Sequence, residues 1–311
     1  MIDSSDTSLA ALLLTNRLTR AEAKPYAAGE FWKLVDRVRN VADLDIGDLQ
    51  TISARGVLEL AEAARISVLL DEADSLQFER ERLQGLGVSL ISAFDVHFPL
   101  LLRERLGTRC PPFLFVAGPI QGLQGGGLSI AGSRNADEAI LDLTRTAALA
   151  AVERKWSTIT GLAKGVDQEA LVAASEGNGG CIGIPTEGIE IILRHPGVRQ
   201  LVHDGGLCIA SPYGPRSPFS AGTAMGRNKM IYALSSVAFV ASADHGSGGT
   251  WSGAIEALKH RWCPVTTWSG PGARDGNRAL VKLGARPIDR VEQLFEPIEL
   301  TEPEATQASL F

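Results

Sequence analysis

From Val88 onward, short apolar runs alternate with segments long enough to be helices, and this alternation restricts the fold more than any other feature of the chain. The runs are VSLIS (88–92), FLFVAG (113–118), LSIAG (128–132), STITG (157–161), CIGIP (181–185), LCIAS (207–211), VAFVAS (237–242) and CPVTTW (263–268). They are nearly continuously apolar, the pattern of strands that are covered on both sides. Segments of helical length at 135–154, 166–176, 221–235 and 250–261 lie between several of them. Such alternation requires crossover connections, and hence a mostly parallel sheet. The expected fold is α/β and extended Rossmann-like, with helices on both faces of the sheet.

The first part of the chain has a different period. Segments near 7–18, 28–39, 46–52, 54–70 and 74–85 carry apolar residues at three- and four-residue spacing. The expected organisation is a helical N-terminal domain at 1–87, a Rossmann-like core at 88–296, and a flexible acidic tail at 297–311, PIELTEPEATQASLF. The helical domain reads as a folding cap or a dimer element.

Composition narrows the function. The chain is 45% hydrophobic and 21% charged with a net charge of −6, which suits a globular protein and argues against general coating of a polyanion. A local basic groove remains compatible, because binding depends on the field at one face. Cys110, Cys181, Cys208 and Cys263 form no CxxC pair and no metal-type cluster, so they read as buried, reduced thiols. No metal and no cofactor is expected. No apolar run approaches a membrane span, and the N-terminal MIDSSDTSLAALLLTNR has the wrong polarity for a signal peptide. A cytoplasmic protein without a membrane partner is expected.

In an open parallel sheet, ligands gather at the carboxyl ends of strands, and four turns there carry suitable residues. In SIAGSRNADEA, Gly132 permits close approach, Ser133 offers a hydroxyl and Arg134 a planar fork suited to phosphate. In TGLAKGVDQEAL, Gly161 and Gly165 flank Lys164, while Asp167 reads as a helix cap or a partner for Lys164. In AMGRNKMIYALSS, the knot Arg227, Asn228 and Lys229 precedes an apolar helical face; at a helix start it would oppose the macrodipole, which favours a functional role. In ADHGSGGTWSGAIEAL, Ser247 and Gly248 belong to an anion nest, and Trp251 could stack a base but reads better as a buried aromatic. Each turn also has a plain structural reading. No Ser/His/Asp arrangement, Walker pattern or dinucleotide fingerprint accompanies them, and His97 and His195, each near a proline, suggest turns. No catalytic residue is assigned. Phosphate-friendly turns without a base favour holding a phosphorylated ligand over acting on it.

In this order, the four turns resemble the DNA-processing family known as DprA or Smf. The resemblance starts at FDVHFPLLLRERLGTRCPPFLFVAG and runs through the turns above to SGPGARDGNRALVKLGA, covering about 90–290. It implies a Rossmann-like protein that binds single-stranded DNA, forms a homodimer and passes the strand to a RecA-type recombinase in recombination, DNA uptake (transformation) or genome defence. It implies no catalysis. Carried over by position, Arg134, Lys164, Arg227 and Lys229 would contact phosphates, with Gly132, Gly161, Gly165 and Gly248 allowing close approach. The chain departs from the family at Pro185-Thr186-Glu187, where a glycine-rich turn is expected and a carboxylate would repel phosphate, at Pro212, and at Asp137-Glu138. The alternative is a nucleotide-sensing or nucleotide-hydrolysing protein on the same superfold, resembling the phosphoribohydrolases. Gly248-Gly249-Thr250 echoes their signature, but Gly253 stands where their glutamate would fall and Glu256 comes one helical turn later. Finally, Gln307, Leu310 and Phe311 resemble the pentapeptide by which replication and repair proteins dock on the sliding clamp, which makes the clamp a further expected partner.

Overall fold

The structure, a computed structural model, describes residues 4–38, 56 and 58–297. The segment 46–52 and the tail residues Gln307, Leu310 and Phe311 lie outside the described residues.

Among the described residues, four helices come first: α1 (Ser4–Thr15), α2 (Ala28–Val38), α3 (Leu60–Leu70) and α4 (Ala73–Gln84). β1 (Val88–Ser92), α5 (Leu100–Leu106) and β2 (Phe113–Ala117) lead into the core. Next come β3 (Gly127–Ala131), α6 (Glu138–Glu153), β4 (Ser157–Thr160), α7 (Val166–Glu176) and β5 (Cys181–Gly183). The short α8 (Ile189–Ile192) and α9 (Pro196–His203) precede β6 (Leu207–Ser211). The chain continues through α10 (Ala221–Leu234), β7 (Val237–Val240), α11 (Gly248–His260), β8 (Val265–Trp268), α12 (Asp275–Lys282) and β9 (Arg286–Ile288).

The strands form one nine-stranded sheet in the order β1-β2-β6-β5-β4-β3-β7-β8-β9. The block from β6 to β9 is parallel throughout, with Thr158 opposite Cys181 and Leu128 opposite Val237 among its pairs. β2 joins antiparallel to β6, and β1 antiparallel to β2. The fold class expected from the sequence is the one found.

The apolar runs have no polar face because the strands feed two cores. Leu128, Ile130, Val237 and Phe239 point into one, with Ile140, Ala147 and Ala151 of α6 and Val166, Ala170 and Ala174 of α7. Ile159, Ile182, Ala238 and Val240 point into the other, with Met230, Ile231 and Leu234 of α10 and Ala254 and Ala257 of α11. Full burial of a Leu, Ile, Val or Phe side chain contributes about 1.5–3 kcal/mol each, so the two layers fix the register of the sheet. α1 serves both layers: Leu12 and Leu13 enter one core, Ala11 and Leu14 the other. Trp32 Nε1 donates to the Cys110 carbonyl at 2.7 Å, and Arg82 of α4 reaches Glu190 of α8 at 2.7 Å, so polar contacts also pin the N-terminal helices, to the loop before β2 and to α8.

The four cysteines are buried and free, and burial pushes each thiol up to about 12, in keeping with inert reduced thiols. No described helix is long and apolar enough to cross a membrane. Among the described residues, no group of three or more His, Cys, Asp or Glu could hold a metal ion.

Candidate nucleic-acid interface

The chain leaves β3 in one direction, to β4, β5 and β6, and later returns to β3's other side with β7. The helices that follow β3 and β7 therefore lie on opposite faces, which opens a crevice between the ends of these two strands. That crevice has a volume of about 470 Å³ and is lined by the Gly132–Asn135 turn, the Ser247–Thr250 turn, and Arg227, Asn228 and Tyr232 of α10. A larger cleft of about 1080 Å³ adjoins it, walled by the turn after β4, α7, the Pro185–Glu187 loop and α9. Arg134, Ala163 and Arg227 line both.

The first turn is a braced loop. The Ser133 amide donates to Ser242 Oγ at 3.1 Å, and Ser133 Oγ accepts from the Asn135 amide at 3.1 Å. Arg274 Nη1 donates to Ser133 Oγ at 3.2 Å and to Asp244 at 3.0 Å, and its Nη2 donates to the Asn135 carbonyl at 2.9 Å. Ser133 thus serves the turn itself. Arg274, which joins the first and fourth turns, was not singled out from the sequence, although it sits in the quoted stretch SGPGARDGNRALVKLGA. Arg134 is left exposed with no ion pair among the described residues. Asp137, one of the departures from the family pattern, is the N-cap of α6 and accepts from the Ile140 amide at 3.0 Å.

The glycines of the first two turns make room for protein. A Cβ on Gly132 would lie 2.5 Å from Val166 Cγ2, and one on Gly165 would lie 2.5 Å from the Ser133 carbonyl oxygen. Gly165 also has φ +77°, so the second turn presses onto the backbone of the first in a conformation that favours glycine. At Gly161 a Cβ would fall 0.9 Å from Arg227 Nη1. Gly248 is the exception: it has φ +82° and nothing within 4 Å.

Asp167 proves to be neither a cap nor a partner for Lys164. The N-cap of α7 is Gly165, and Asp167 lies inside the first turn. Helical side chains lean toward the N-terminus, which turns this carboxylate back onto the preceding loop. It accepts from the Gly161 amide at 2.9 Å and from the Ala163 amide, and faces Arg227 Nη1 at 3.5 Å. Burial pushes its carboxyl above the ordinary value, against the opposing pull of Arg227 and the two amides. Lys164 therefore stays exposed, with no ion pair among the described residues.

The basic knot is not at a helix start. The N-cap of α10 is Ser220, which forms a reciprocal capping box with Thr223, so Arg227, Asn228 and Lys229 lie in mid-helix and the macrodipole argument lapses. Three successive helical residues must point three ways. Arg227 points inward and is 7% exposed. Asn228 Nδ2 donates to the Gly249 carbonyl at 2.9 Å, tying α10 to α11. Lys229 pairs with Glu256 at 2.9 Å and lines a separate concavity against the N-terminal helices. The site thus gathers Arg134, Lys164 and Arg227 but not Lys229.

The fourth turn leads directly into α11. Thr250 Oγ1 donates to the Gly132 carbonyl at 3.1 Å, locking it to the first turn. Ser247 is the N-cap residue, but its side chain makes no capping bond. Trp251 is the buried aromatic that the sequence predicts, edge-on to His245 at 4.9 Å between ring centroids. Pro185, Thr186 and Glu187 line the larger cleft, with Thr186 Oγ1 donating to Glu187 Oε2 at 2.5 Å. His195 is the N-cap of α9 and His97 lies in a turn, as expected.

Together, the sheet order, the crevice at its switch point and the braced glycine turns define an extended Rossmann-like α/β protein with a crevice at the strand ends. Residues 89–299 match the family of DNA recombination-mediator protein A, and the chain belongs to that family. DNA processing protein A from Streptococcus pneumoniae has a similar structure, with a TM-score of 0.64 and 21% identity over 89% of this chain and 99% of that one. DNA processing protein A from Helicobacter pylori, described for its single-stranded DNA binding mode, gives a TM-score of 0.55 and 24% identity over 66% of this chain and 93% of that one. No curated protein matches the chain.

Proposed function

We propose that this protein binds single-stranded DNA along the 1080 Å³ cleft and acts as a recombination mediator, without catalysing a reaction. The observation that carries the reading is the pair of exposed cations, Arg134 and Lys164, on adjoining turns at the cleft. A cation already paired adds little to phosphate affinity, whereas a free one releases counterions from the strand. The other walls suit bases: Phe219 is 53% exposed at the cleft, and Leu171, Val172 and Val198 continue the apolar surface. Buried Arg227 supports the loop that carries Lys164 and offers its charge from beneath. Membership of the recombination-mediator family and the similar fold of the H. pylori protein agree with this ligand.

Within this reading, residues 1–87 form a helical cap, 88–296 the binding core, and 297–311 a tail whose Gln307, Leu310 and Phe311 engage the sliding clamp. A RecA-type recombinase receives the strand from a homodimer in the cytoplasm, in recombination, DNA uptake or genome defence. The hydrolase alternative loses its candidate acid, because Glu256 is held by Lys229 and lines neither the crevice nor the cleft.

Fluorescence polarisation with a labelled thymidine oligonucleotide at two salt concentrations tests the proposal. Affinity should fall with salt, and should fall again in Arg134→Ala and Lys164→Ala. Binding that neither variant weakens would reject the cleft as the site.

A further inference from the structure

The crevice at the switch point is floored by polar groups whose bonding capacity is not used up. Tyr232 is 2% exposed and lines the crevice, yet its hydroxyl has no hydrogen-bond partner among the described residues. An unsatisfied buried hydroxyl costs about 1–3 kcal/mol, so a ligand group that meets it recovers that cost. Burial also raises its pKa strongly, which keeps it a neutral donor. Beside it, Arg227 has no partner for Nε among the described residues.

At the mouth, the first amides of the 13-residue α11 have no helical acceptor, and Ser247 does not cap them with its side chain. The positive end of that helix thus borders the crevice at Ser247–Thr250. The two carboxylates in the lining are both occupied: Asp167 faces Arg227 at 3.5 Å, and Asp244 is held by Arg274 at 3.0 Å. No free carboxylate in the lining opposes an anion. A volume of 470 Å³ falls within the range of about 300–1,000 Å³ that encloses a small ligand.

We propose that this crevice takes a nucleotide by its phosphate monoester, seated on the N-terminal amides of α11 above Tyr232 and Arg227. The ligand chemistry is the same in a free mononucleotide and in the phosphorylated end of a strand. A terminal phosphate carries more charge than an interior diester and has one chain attachment rather than two, so it suits the smaller crevice. Arg134 lines both spaces, so a strand held in the larger cleft can present its last nucleotide to the crevice. The strand-end form of this proposal rests on the strand-binding reading above; the mononucleotide form does not.

The test compares thymidine oligonucleotides with a 5′-phosphate, a 3′-phosphate or hydroxyl ends in polarisation titrations. Thymidine 5′-monophosphate and thymidine are compared in thermal melts. One phosphorylated strand should bind at least about tenfold tighter than the hydroxyl strand, the size expected of one charge-assisted contact set. The monophosphate, and not the nucleoside, should raise the melting temperature. Tyr232→Phe should abolish both effects while leaving hydroxyl-strand affinity within about twofold. Gly249→Asp is the second variant. Its Cβ would meet only Asn228 Nδ2, at 3.4 Å, and its charge suits a helix N-terminus while repelling phosphate, so it should fold and lose the same two effects. Lys164→Ala should weaken all strands alike and keep the preference. Equal strand affinities with no response to the monophosphate would overturn the crevice and leave strand binding standing. Stabilisation by the monophosphate with no strand binding would do the reverse.

Discussion

Gly161→Ala isolates the contact on which the site's shape depends. Gly161 is not among the positive-φ glycines, so alanine suits its backbone and the cost comes from contact alone. The new Cβ would sit 0.9 Å from Arg227 Nη1, 2.1 Å from its Cζ and 2.7 Å from Asp167 Oδ2. A few tenths of an ångström cannot relieve this, so the guanidinium must leave. Arg227 is only 7% exposed, and its departure strands the Asp167 carboxylate in a buried place. Overpacking alone costs about 1–3 kcal/mol, and breaking a buried ion pair about 3–5 kcal/mol. The two are one event, so the expected loss is about 3–5 kcal/mol rather than their sum. Urea unfolding measures it, with Gly248→Ala as the control. There no atom lies within 4 Å of the Cβ, and only the φ of +82° opposes alanine, at about 1–2 kcal/mol. Gly161→Ala costing less than its control would refute the packing argument and, with it, the role given to Arg227 beneath the loop.

Three further outcomes follow from the same geometry. If Arg134 and Lys164 each neutralise one phosphate, the double alanine variant should lose about 1.4 from the slope of log affinity against log salt. The wild type's advantage over the variant then shrinks by about sevenfold between about 50 mM and about 200 mM salt. Glu187 lines the cleft without an ion pair among the described residues, so Glu187→Gln should tighten strand binding by about two- to fivefold at low salt, and less at high salt. Glu190 gives a pH signature: burial pushes its carboxyl up, but hydrogen bonds and charge from Arg216 and Arg82 outweigh this and hold it below the ordinary value. A depressed folded pKa adds stability above the unfolded value of about 4.3, and that stability is lost as pH falls through the folded one. Glu190→Gln should therefore cost about 1 kcal/mol at pH 7 in urea unfolding, a difference that closes below about pH 4.

Much of this was legible in the residues because the signal was periodic. VSLIS, STITG and LCIAS are strands at the expected places, since an apolar run covered on both sides has few other uses. β9 carries no such signal because Arg286-Pro287-Ile288 has no apolar run; its edge position tolerates proline. α8 and α9 show no helical period because Gly188 and the His195-Pro196 turn cut the segment into short pieces. The candidate site was legible as turns but not as contacts. A glycine that admits a ligand and one that admits a guanidinium look alike in sequence, and only the meeting of Gly161 with Arg227, 66 positions apart by number, tells them apart. The direction of Lys229 depended likewise on where α10 begins, which Ser220 and Thr223 decide.

The most direct measurement is to map where a strand lies. Ultraviolet crosslinking of a thymidine-rich oligonucleotide, read by peptide mass spectrometry, should mark the walls of the larger cleft, with Phe219 as its exposed aromatic. Arg134→Ala with Lys164→Ala should erase those marks. Crosslinks confined to the opposite concavity, around Lys229 and Met225, would contradict the assignment of the cleft as the strand-binding surface.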